Sequence, residues 1–315
     1  MLKELTQLVN RWRHKQDTMA GTIGAYWYES GLALAYLRLE NGQPEVLATQ
    51  HILCASNEEK QAALTNFLNE HKLLRASLCL SLSPNEYKIT LLDSPNVPEK
   101  DLHAAVRWLV RDVINYPLEE AAVDVFPVPL PRARDNVNML YVINVPIPRI
   151  LQIEQVIENN GLKLELLTIP EIAIQTALNL NANAKEGALV VFLMGQQGKL
   201  LLLQGGFIHL IRNFELSDDT FESLSTEIQR YLDYANSLFR RNLCKHIILM
   251  QKSDIPDLET SLKSSLDVSV ETLSLTTLFP GIEVSSVTAA IPLFIAIGTA
   301  MNWLLDGQPS FENAS

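Results

Sequence analysis

The sequence predicts a bilobed α/β fold in which one arrangement of strands and helices is used twice. Three apolar runs joined by turn residues, a pattern typical of an antiparallel meander, cover 22–53 and recur over 188–213. The two meanders start about 165 residues apart, which is too long for a solenoid repeat and indicates two similarly built halves. Hydrophobic residues make up 47% and charged residues 19% of the chain, as in globular proteins. We expect the first half at 21–180 and the second at 181–305.

Residues 1–20 precede the first meander and are predicted to contain an amphipathic helix over 2–13. Lys3, Arg11 and Arg13 lie among the polar positions of this segment. The apolar positions at helical spacing are Leu2, Leu5, Leu8, Val9 and Trp12. Such a helix either lies on a membrane surface through its apolar side chains or packs on its own domain. The sequence leaves both alternatives open, with Leu5, Leu8 and Trp12 as the candidates for membrane contact.

Helical and strand patterns alternate after each meander. In the first half, the further strands are predicted at 75–82, 87–92, 121–128, 139–145 and 162–169, and the helices at 60–71, 99–114, 148–160 and 171–180. In the second half, the further strands are predicted at 246–250 and 268–271, and the helices at 217–239, from about Asp254, and after Ser286. Residues 181–187 are predicted to form the seam between the halves, and 306–315 a flexible tail.

One segment, 284–305, raises the alternative of a membrane-spanning helix. It is a run of 22 uncharged residues, long enough to cross a bilayer. A spanning helix usually has basic residues at its cytoplasmic end, whereas Glu283 and Asp306 flank this run and no Lys or Arg follows Lys263. We therefore favour a buried helix that packs between the lobes.

Charge and cysteine content argue against several classes of protein. The formal net charge is −11 and the basic residues form no stripe, so nucleic acid is not an expected partner. Cys54, Cys79 and Cys244 are far apart and lack the spacing of a zinc site, which predicts reduced thiols and no metal. The first twenty residues lack the continuous apolar core of a secretory signal. We expect a cytoplasmic protein.

The sequence contains no recognisable catalytic motif. A segment similar to part of a phosphate-binding loop lies at 195–199. However, a strand pattern follows it, and Leu200 stands where such a loop requires Ser or Thr. Neighbouring carboxylates point apart on helices and strands, so they do not form an acid–base pair by themselves. Such pairs occur at 58–59, 119–120 and 218–219. The six histidines are dispersed, and no nucleophile elbow is present. These features favour a binding module over an enzyme.

Several segments carry a family resemblance through their order and spacing. They are GAYWYESGLAL at 24–34, VPEKDL at 97–102, YPLEEAAVD at 116–124, NGL at 160–162, IPEIA at 169–173, TEIQRYL at 226–232 and AIGTA at 296–300. With the two meanders, they make the chain resemble the PilM-like actin-fold proteins of type IV pilus assembly. Within that family the chain is most similar to the MshI proteins of mannose-sensitive haemagglutinin (MSHA) pilus biogenesis.

The resemblance implies a duplicated actin-like (ASKHA) fold with a subdomain inserted at about 97–160 of the first half. Members of the family that bind nucleotide carry an Asp-Ile-Gly turn at the start of each half, where the Asp and loop amides hold phosphates and magnesium. Here the two positions, 26–28 and 193–195, read YWY and LMG, so both carboxylates are missing. Gly24 and Gly195 remain as candidates for nucleotide contact. We expect no cofactor, with ATP and magnesium as the alternative.

The resemblance also implies a partner, the short cytoplasmic N-terminal tail of an inner-membrane protein similar to PilN or MshJ. The family's groove for this tail lies beside the inserted subdomain, with the meander strands opposite. The corresponding partner-binding candidates in this chain are Tyr26, Tyr28, Glu119, Glu120 and Asp124. Their carboxylates favour a tail that carries Lys or Arg.

We therefore expect a cytoplasmic adaptor of fimbrial assembly, at the inner face of the inner membrane, that does not hydrolyse ATP. One alternative is an ATP-binding actin-like switch in pilus or type II secretion assembly. The other is a membrane-anchored secretion component. The sequence does not indicate an oligomeric state.

Overall fold

The computed structural model describes residues 21–73, 76–129, 139–194, 197–215, 220–251, 258–266, 268–282, 284 and 287–306. In chain order, their strands are β1 (Thr22–Tyr28), β2 (Gly31–Glu40), β3 (Gln43–Leu53), β4 (Ser77–Ser81), β5 (Lys88–Asp93), β6 (Ala121–Val128), β7 (Met139–Pro146), β8 (Leu164–Thr168), β9 (Ala188–Met194), β10 (Gln197–Gln204), β11 (Phe207–Glu215), β12 (His246–Gln251) and β13 (Ser269–Thr272). The helices are α1 (Asn57–His71), α2 (Glu99–Leu109), α3 (Ile147–Asn159), α4 (Pro170–Leu178), α5 (Ala182–Gly187), α6 (Thr220–Phe239), α7 (Leu258–Ser265), α8 (Leu275–Leu278) and α9 (Val287–Asp306).

The described residues divide into two compact units. Unit 1 contains 21–84, 152–177 and 279–306, and unit 2 contains 85–151 and 178–278. The helix predicted at 2–13 and the tail predicted beyond Asp306 lie outside the described residues.

Unit 1 is built on a mixed five-stranded sheet with strand order β3-β2-β1-β4-β8. β1, β2 and β3 pair antiparallel as the predicted meander, and β4 and β8 continue the sheet in parallel with β1. Successive side chains of β1 point to opposite faces. Residue Gly24 faces the α9 backbone, while Trp27 on the other face reaches Asn57 of α1. The central strand is therefore covered on both faces.

Unit 2 repeats this arrangement in a second sheet with order β11-β10-β9-β12-β13. Its first three strands are again an antiparallel meander, and β12 and β13 are again parallel additions beside the first strand of that meander. The two sheets thus share strand order and strand directions. The duplication predicted from the recurring apolar runs is confirmed.

The chain between β4 and β8 holds a third sheet, with order β5-β7-β6 and all pairs antiparallel. Helix α2 packs on one face of it, where Val106 and Val110 meet Leu140 and Val142 in a small core. An insertion was predicted in this half, and this sheet interrupts the first sheet between two of its neighbouring strands. It begins at Lys88, before the predicted start at about 97.

The compact units differ from the predicted contiguous halves in two respects. The inserted sheet groups with unit 2, and α9, which ends the described chain, groups with unit 1. The residues predicted as a seam also have structure of their own, because 182–187 form α5 and the Asn181 side chain accepts a hydrogen bond from the Ala184 amide at 2.9 Å.

Helix α9 accounts for the long uncharged run near the C-terminus. It packs on the sheet of unit 1, and Ile295, Ala296 and Ile297 are completely buried. Two glycines permit the close approach: a Cβ on Gly24 would meet the backbone at Ala296, and one on Gly298 would meet the Ala173 carbonyl. The burial predicted for this helix is confirmed, whereas its predicted position between the lobes stays a prediction. In the part of the chain that the structure describes, no helix is both long and apolar enough to cross a membrane.

Candidate functional site

The first candidate site is the end of β1 and the turn that follows it, where the resemblance implied a nucleotide-binding turn. The buried Lys60 of α1 donates hydrogen bonds to the carbonyl oxygens of Tyr28 and Glu29, at 2.7 and 3.0 Å. On the same side, the Cys54 amide donates to the Ser30 carbonyl at 3.2 Å. A buried ammonium group needs such partners. The turn is therefore held by a lysine of its own unit.

The aromatic residues leading into this turn are mostly core residues. Tyr26 is completely buried and its ring stacks on that of Tyr28, with centroids 5.1 Å apart. Trp27 is also buried and donates from Nε1 to the Asn57 side chain at 3.4 Å. The expectation that Tyr26 contacts a partner is therefore wrong. Strand alternation predicts which face of the sheet Tyr26 lies on, but it does not predict that α9 covers this face.

Tyr28 is the only one of these three aromatic residues that is not fully in the core. It is half-buried, and its hydroxyl makes a 2.7 Å hydrogen bond with Nε2 of His51 on β3. Burial, with a smaller contribution from Cys54, raises the pKa of Tyr28 to about 12. The phenol is therefore protonated at physiological pH.

Gly24 has a structural explanation that does not involve nucleotide. A Cβ there would lie 2.7 Å from the Ala300 amide nitrogen, and the Ala296 carbonyl oxygen is nearer still. The absence of a side chain is thus required by helix packing. The other glycine candidate, Gly195, lies outside the described residues.

The second candidate turn follows β9, at the start of the repeat in unit 2. Leu193 is buried in the core, and the sequence offers no carboxylate at 193 or 194. Lys199, which suggested part of a phosphate-binding loop, is buried within β10 with its Nζ 3.4 Å from the Tyr87 hydroxyl. A P-loop lysine sits at a helix N-terminus. The interpretation as a hairpin is supported.

The acidic candidates form a short exposed row at the edge of the inserted sheet. Glu119 and Glu120 lie in a 3-10 turn immediately before β6, and Asp124 is exposed on β6, an edge strand. Arg107 of α2 fixes this turn by donating to the carbonyls of Leu118 and Ala121, at 2.7 and 3.1 Å. The carboxylates are therefore presented to solvent on a well-anchored backbone.

The described residues bring together no group of three or more His, Cys, Asp or Glu side chains that could hold a metal ion. Cys54, Cys79 and Cys244 are buried and unpaired as disulfides. Burial raises the pKa of the Cys244 thiol to about 11, which leaves it protonated at neutral pH.

Two cavities were missed by the sequence reasoning. One lies in unit 1 along β3 and has a volume of about 800 Å³. The other lies in unit 2 beside β11 and has about 320 Å³, with Tyr141, Tyr231 and Tyr234 among its lining residues. Both follow an edge strand of a five-stranded sheet. The sequence signal, exposed apolar residues such as Leu47 on β3, is too weak to have indicated a cavity.

No protein-family model and no curated protein sequence matches the chain. Its structure is similar to solved structures at low sequence identity. One is the PilM–PilN type IV pilus biogenesis complex, with a TM-score of 0.68, 20% identity, and coverage of 90% of this chain and 98% of that chain.

A second similar structure is the cytoplasmic domain of EpsL, an inner-membrane component of the type II secretion system of Vibrio cholerae. It aligns with a TM-score of 0.53, 14% identity, and coverage of 82% of this chain and 92% of that chain. Together with the repeated sheets, these similarities establish the fold. The chain has a duplicated, actin-like α/β fold of the PilM type.

Proposed function

We propose that this protein is an assembly protein of a type IV pilus, of the MSHA type, and binds the N-terminal tail of a PilN-like or MshJ-like inner-membrane partner. The observation that carries the proposal is the similarity to the PilM–PilN pilus complex over nearly the full length of both chains. The similarity to EpsL supports the broader class, because that protein also belongs to a secretion machine at the inner membrane. The protein would act in the cytoplasm, at the inner face of that membrane.

In this proposal the protein works as a nucleotide-independent adaptor. Phosphoryl transfer in actin-like enzymes depends on acidic residues that hold magnesium against the phosphates. In this chain, aromatic residues lead into the turn after β1, and a buried lysine donates hydrogen bonds to the carbonyls there. The second turn follows β9, which is an apolar strand. These features support an adaptor over an ATP-driven switch.

The acidic row of Glu119, Glu120 and Asp124 is the surface we propose for the basic part of the partner's tail. An extended peptide recognises an edge strand by adding backbone hydrogen bonds and by placing alternate side chains against it. β6 is such an edge strand, and its exposed carboxylates attract Lys or Arg. Attraction of this kind raises the association rate and weakens with salt.

The test is titration of a synthetic tail peptide into the full chain and into a Glu119→Lys, Glu120→Lys double variant. A matched control, Glu154→Lys with Glu158→Lys, changes the net charge equally on the exposed side of α3. Exposed ion pairs contribute about 0.2–1 kcal/mol each, and charge reversal replaces attraction with repulsion, so the first variant should bind about tenfold more weakly at low salt. The control should bind like the wild type.

Two results would count against the proposal. If no candidate tail binds at any salt concentration, the proposed partner is wrong. If the tail binds but both variants retain the affinity and salt dependence of the wild type, the partner stands and the acidic row is not its site.

A further inference from the structure

The cavity in unit 1 is a groove along the open edge of β3, and we call it the β3 groove. Residues 46–51 form one side of it, and Ile282, Val284 and Leu293, before and within α9, form another part of the lining. β3 is the edge strand of its sheet. A long edge strand beside apolar side chains is a surface that proteins usually cover.

The lining is mixed, because Thr49, Gln50, His51 and His71 stand beside its apolar side chains, and it suits an amphipathic occupant. Leu47, at the irregularity where β3 shifts register against β2, is 38% exposed although it lines the groove. The Gln50 Oε1 atom is buried and has no hydrogen-bond donor within the described residues. Buried acceptors are normally satisfied.

The start of the described chain lies close to one end of this groove. Thr22 of β1 pairs with Leu37 of β2, and Leu37 pairs with Val46 of β3, so the start of β1 is level with Val46 and two strands away. Two strand spacings amount to about 10 Å. Residues 14–20 can span at most about 25 Å. A segment that ends at Arg13 can therefore reach the groove.

Length and charge also match the segment at 2–13. Twelve helical residues are about 18 Å long, and six strand residues extend over about 17 Å. At the Val46 end, the carboxyl groups of Glu40 and Glu45 share a hydrogen bond, which, with their mutual repulsion, raises the pKa of Glu45. Arg38, which pairs with Glu45 across the two strands, partly offsets this repulsion, and the segment carries further cations at Lys3, Arg11 and Arg13.

We propose that residues 2–13 bind in the β3 groove of their own chain, with the apolar face of Leu5, Leu8 and Trp12 against Leu47, Ile282 and Val284. This apolar face is also the one that would contact lipid, so the helix cannot occupy the groove and a membrane surface at once. The groove then holds the helix when no membrane is present. The inference does not depend on the pilus partner.

Limited digestion of the full chain with an arginine-specific protease tests this, because Arg11 and Arg13 lie within the proposed helix. Trypsin would also cut after Lys15, in the linker, and release the segment. Proteolysis of a docked segment follows the fraction of time it is released. Leu47→Glu places a charge in the groove and should speed cleavage at both arginines at least about tenfold, since burying a leucine is worth more than that factor. The matched control Leu53→Glu lies on the same strand, is 69% exposed and does not line the groove, so it should leave the rate unchanged.

A second pair of variants tests the segment from its own side and does not alter the folded units. Leu5→Ser with Leu8→Ser should accelerate cleavage as Leu47→Glu does and should increase hydrogen exchange of 46–51. Gln7→Ser with Asn10→Ser, on the polar face and also without a change of charge, should change neither.

The proposal is overturned if wild type and Leu47→Glu are cleaved equally fast. It is also overturned if the protection depends on protein concentration, which would assign the groove to a second copy of the chain. Protection that develops only on addition of a partner peptide or of anionic vesicles would overturn it as well.

Discussion

Replacing Gly24 by Ala tests the packing of α9 on β1, the contact that joins the two ends of unit 1. The new Cβ would lie 2.7 Å from the Ala300 nitrogen and nearer still to the Ala296 carbonyl oxygen, whereas ordinary contacts are about 3.5–4.0 Å, so strand and helix must separate by more than about 1 Å. A gap of that size forfeits at least a quarter to a half of the dispersion energy of the contacts it opens. Overpacking costs about 1–3 kcal/mol, and more where only backbone is available to move.

The opposing effect is favourable, because Gly→Ala at an unstrained position stabilises by about 0.4–1 kcal/mol through the unfolded chain. We expect the clash to win and unit 1 to lose about 2 kcal/mol, which is a roughly thirtyfold change in its opening equilibrium. Native-state hydrogen exchange measures this for β1, with the equivalent strand β9 in unit 2 as an internal control. A Gly24→Ala protein that is as stable as the wild type, or more so, would refute the packing account.

Three further predictions concern chemistry. The three buried thiols should react with a thiol reagent at least about a hundredfold more slowly in the native protein than in denaturant. Burial raises the pKa of each thiol and blocks access of the reagent. Fast labelling of any one of them in the native protein would contradict this prediction. Burial and, to a smaller extent, Arg241 lower the pKa of His209 below 6.5, although backbone hydrogen bonds oppose this effect. The unfolded chain therefore takes up a proton at a higher pH than the folded chain does. Unit 2 should lose stability as pH falls below about 6.5. A His209→Phe variant should have a shallower pH dependence, and an unchanged slope would exclude His209 as the cause. ATP with magnesium should produce no thermal shift and no hydrolysis above background; a saturable shift of several degrees would establish binding.

Local sequence patterns were sufficient to predict most of the strands and helices. β6 spans the predicted 121–128, and β1 and β9 begin at the first residues of the two predicted meanders, because apolar runs and flanking turn residues mark these strands. The duplication followed from comparing two such patterns. The helix predicted from about Asp254 corresponds to α7, which is described from Leu258 onward, and 252–257 lie outside the described residues.

The remaining features depend on contacts between distant segments, which a single sequence does not contain. Gly24 looked like a nucleotide residue because the segment that needs its missing side chain lies near the other end of the chain. Tyr26 was predicted to be available to a partner because the alternation of side chains along a strand does not show which face of the sheet another element covers. Lys60 was read as an ordinary helix residue, although it binds the carbonyls of a turn about thirty residues earlier, and no periodicity marks such a contact.

The central claim, that a partner's tail is bound without nucleotide, is tested most directly by calorimetric titration of the tail peptide into the nucleotide-free protein, with and without ATP and magnesium. A coupled nucleotide site would change the tail's affinity, typically by about 5-fold to 150-fold. The account predicts binding in both conditions with dissociation constants that agree within about twofold. Binding that requires ATP, or that tightens tenfold or more when ATP is added, would contradict it.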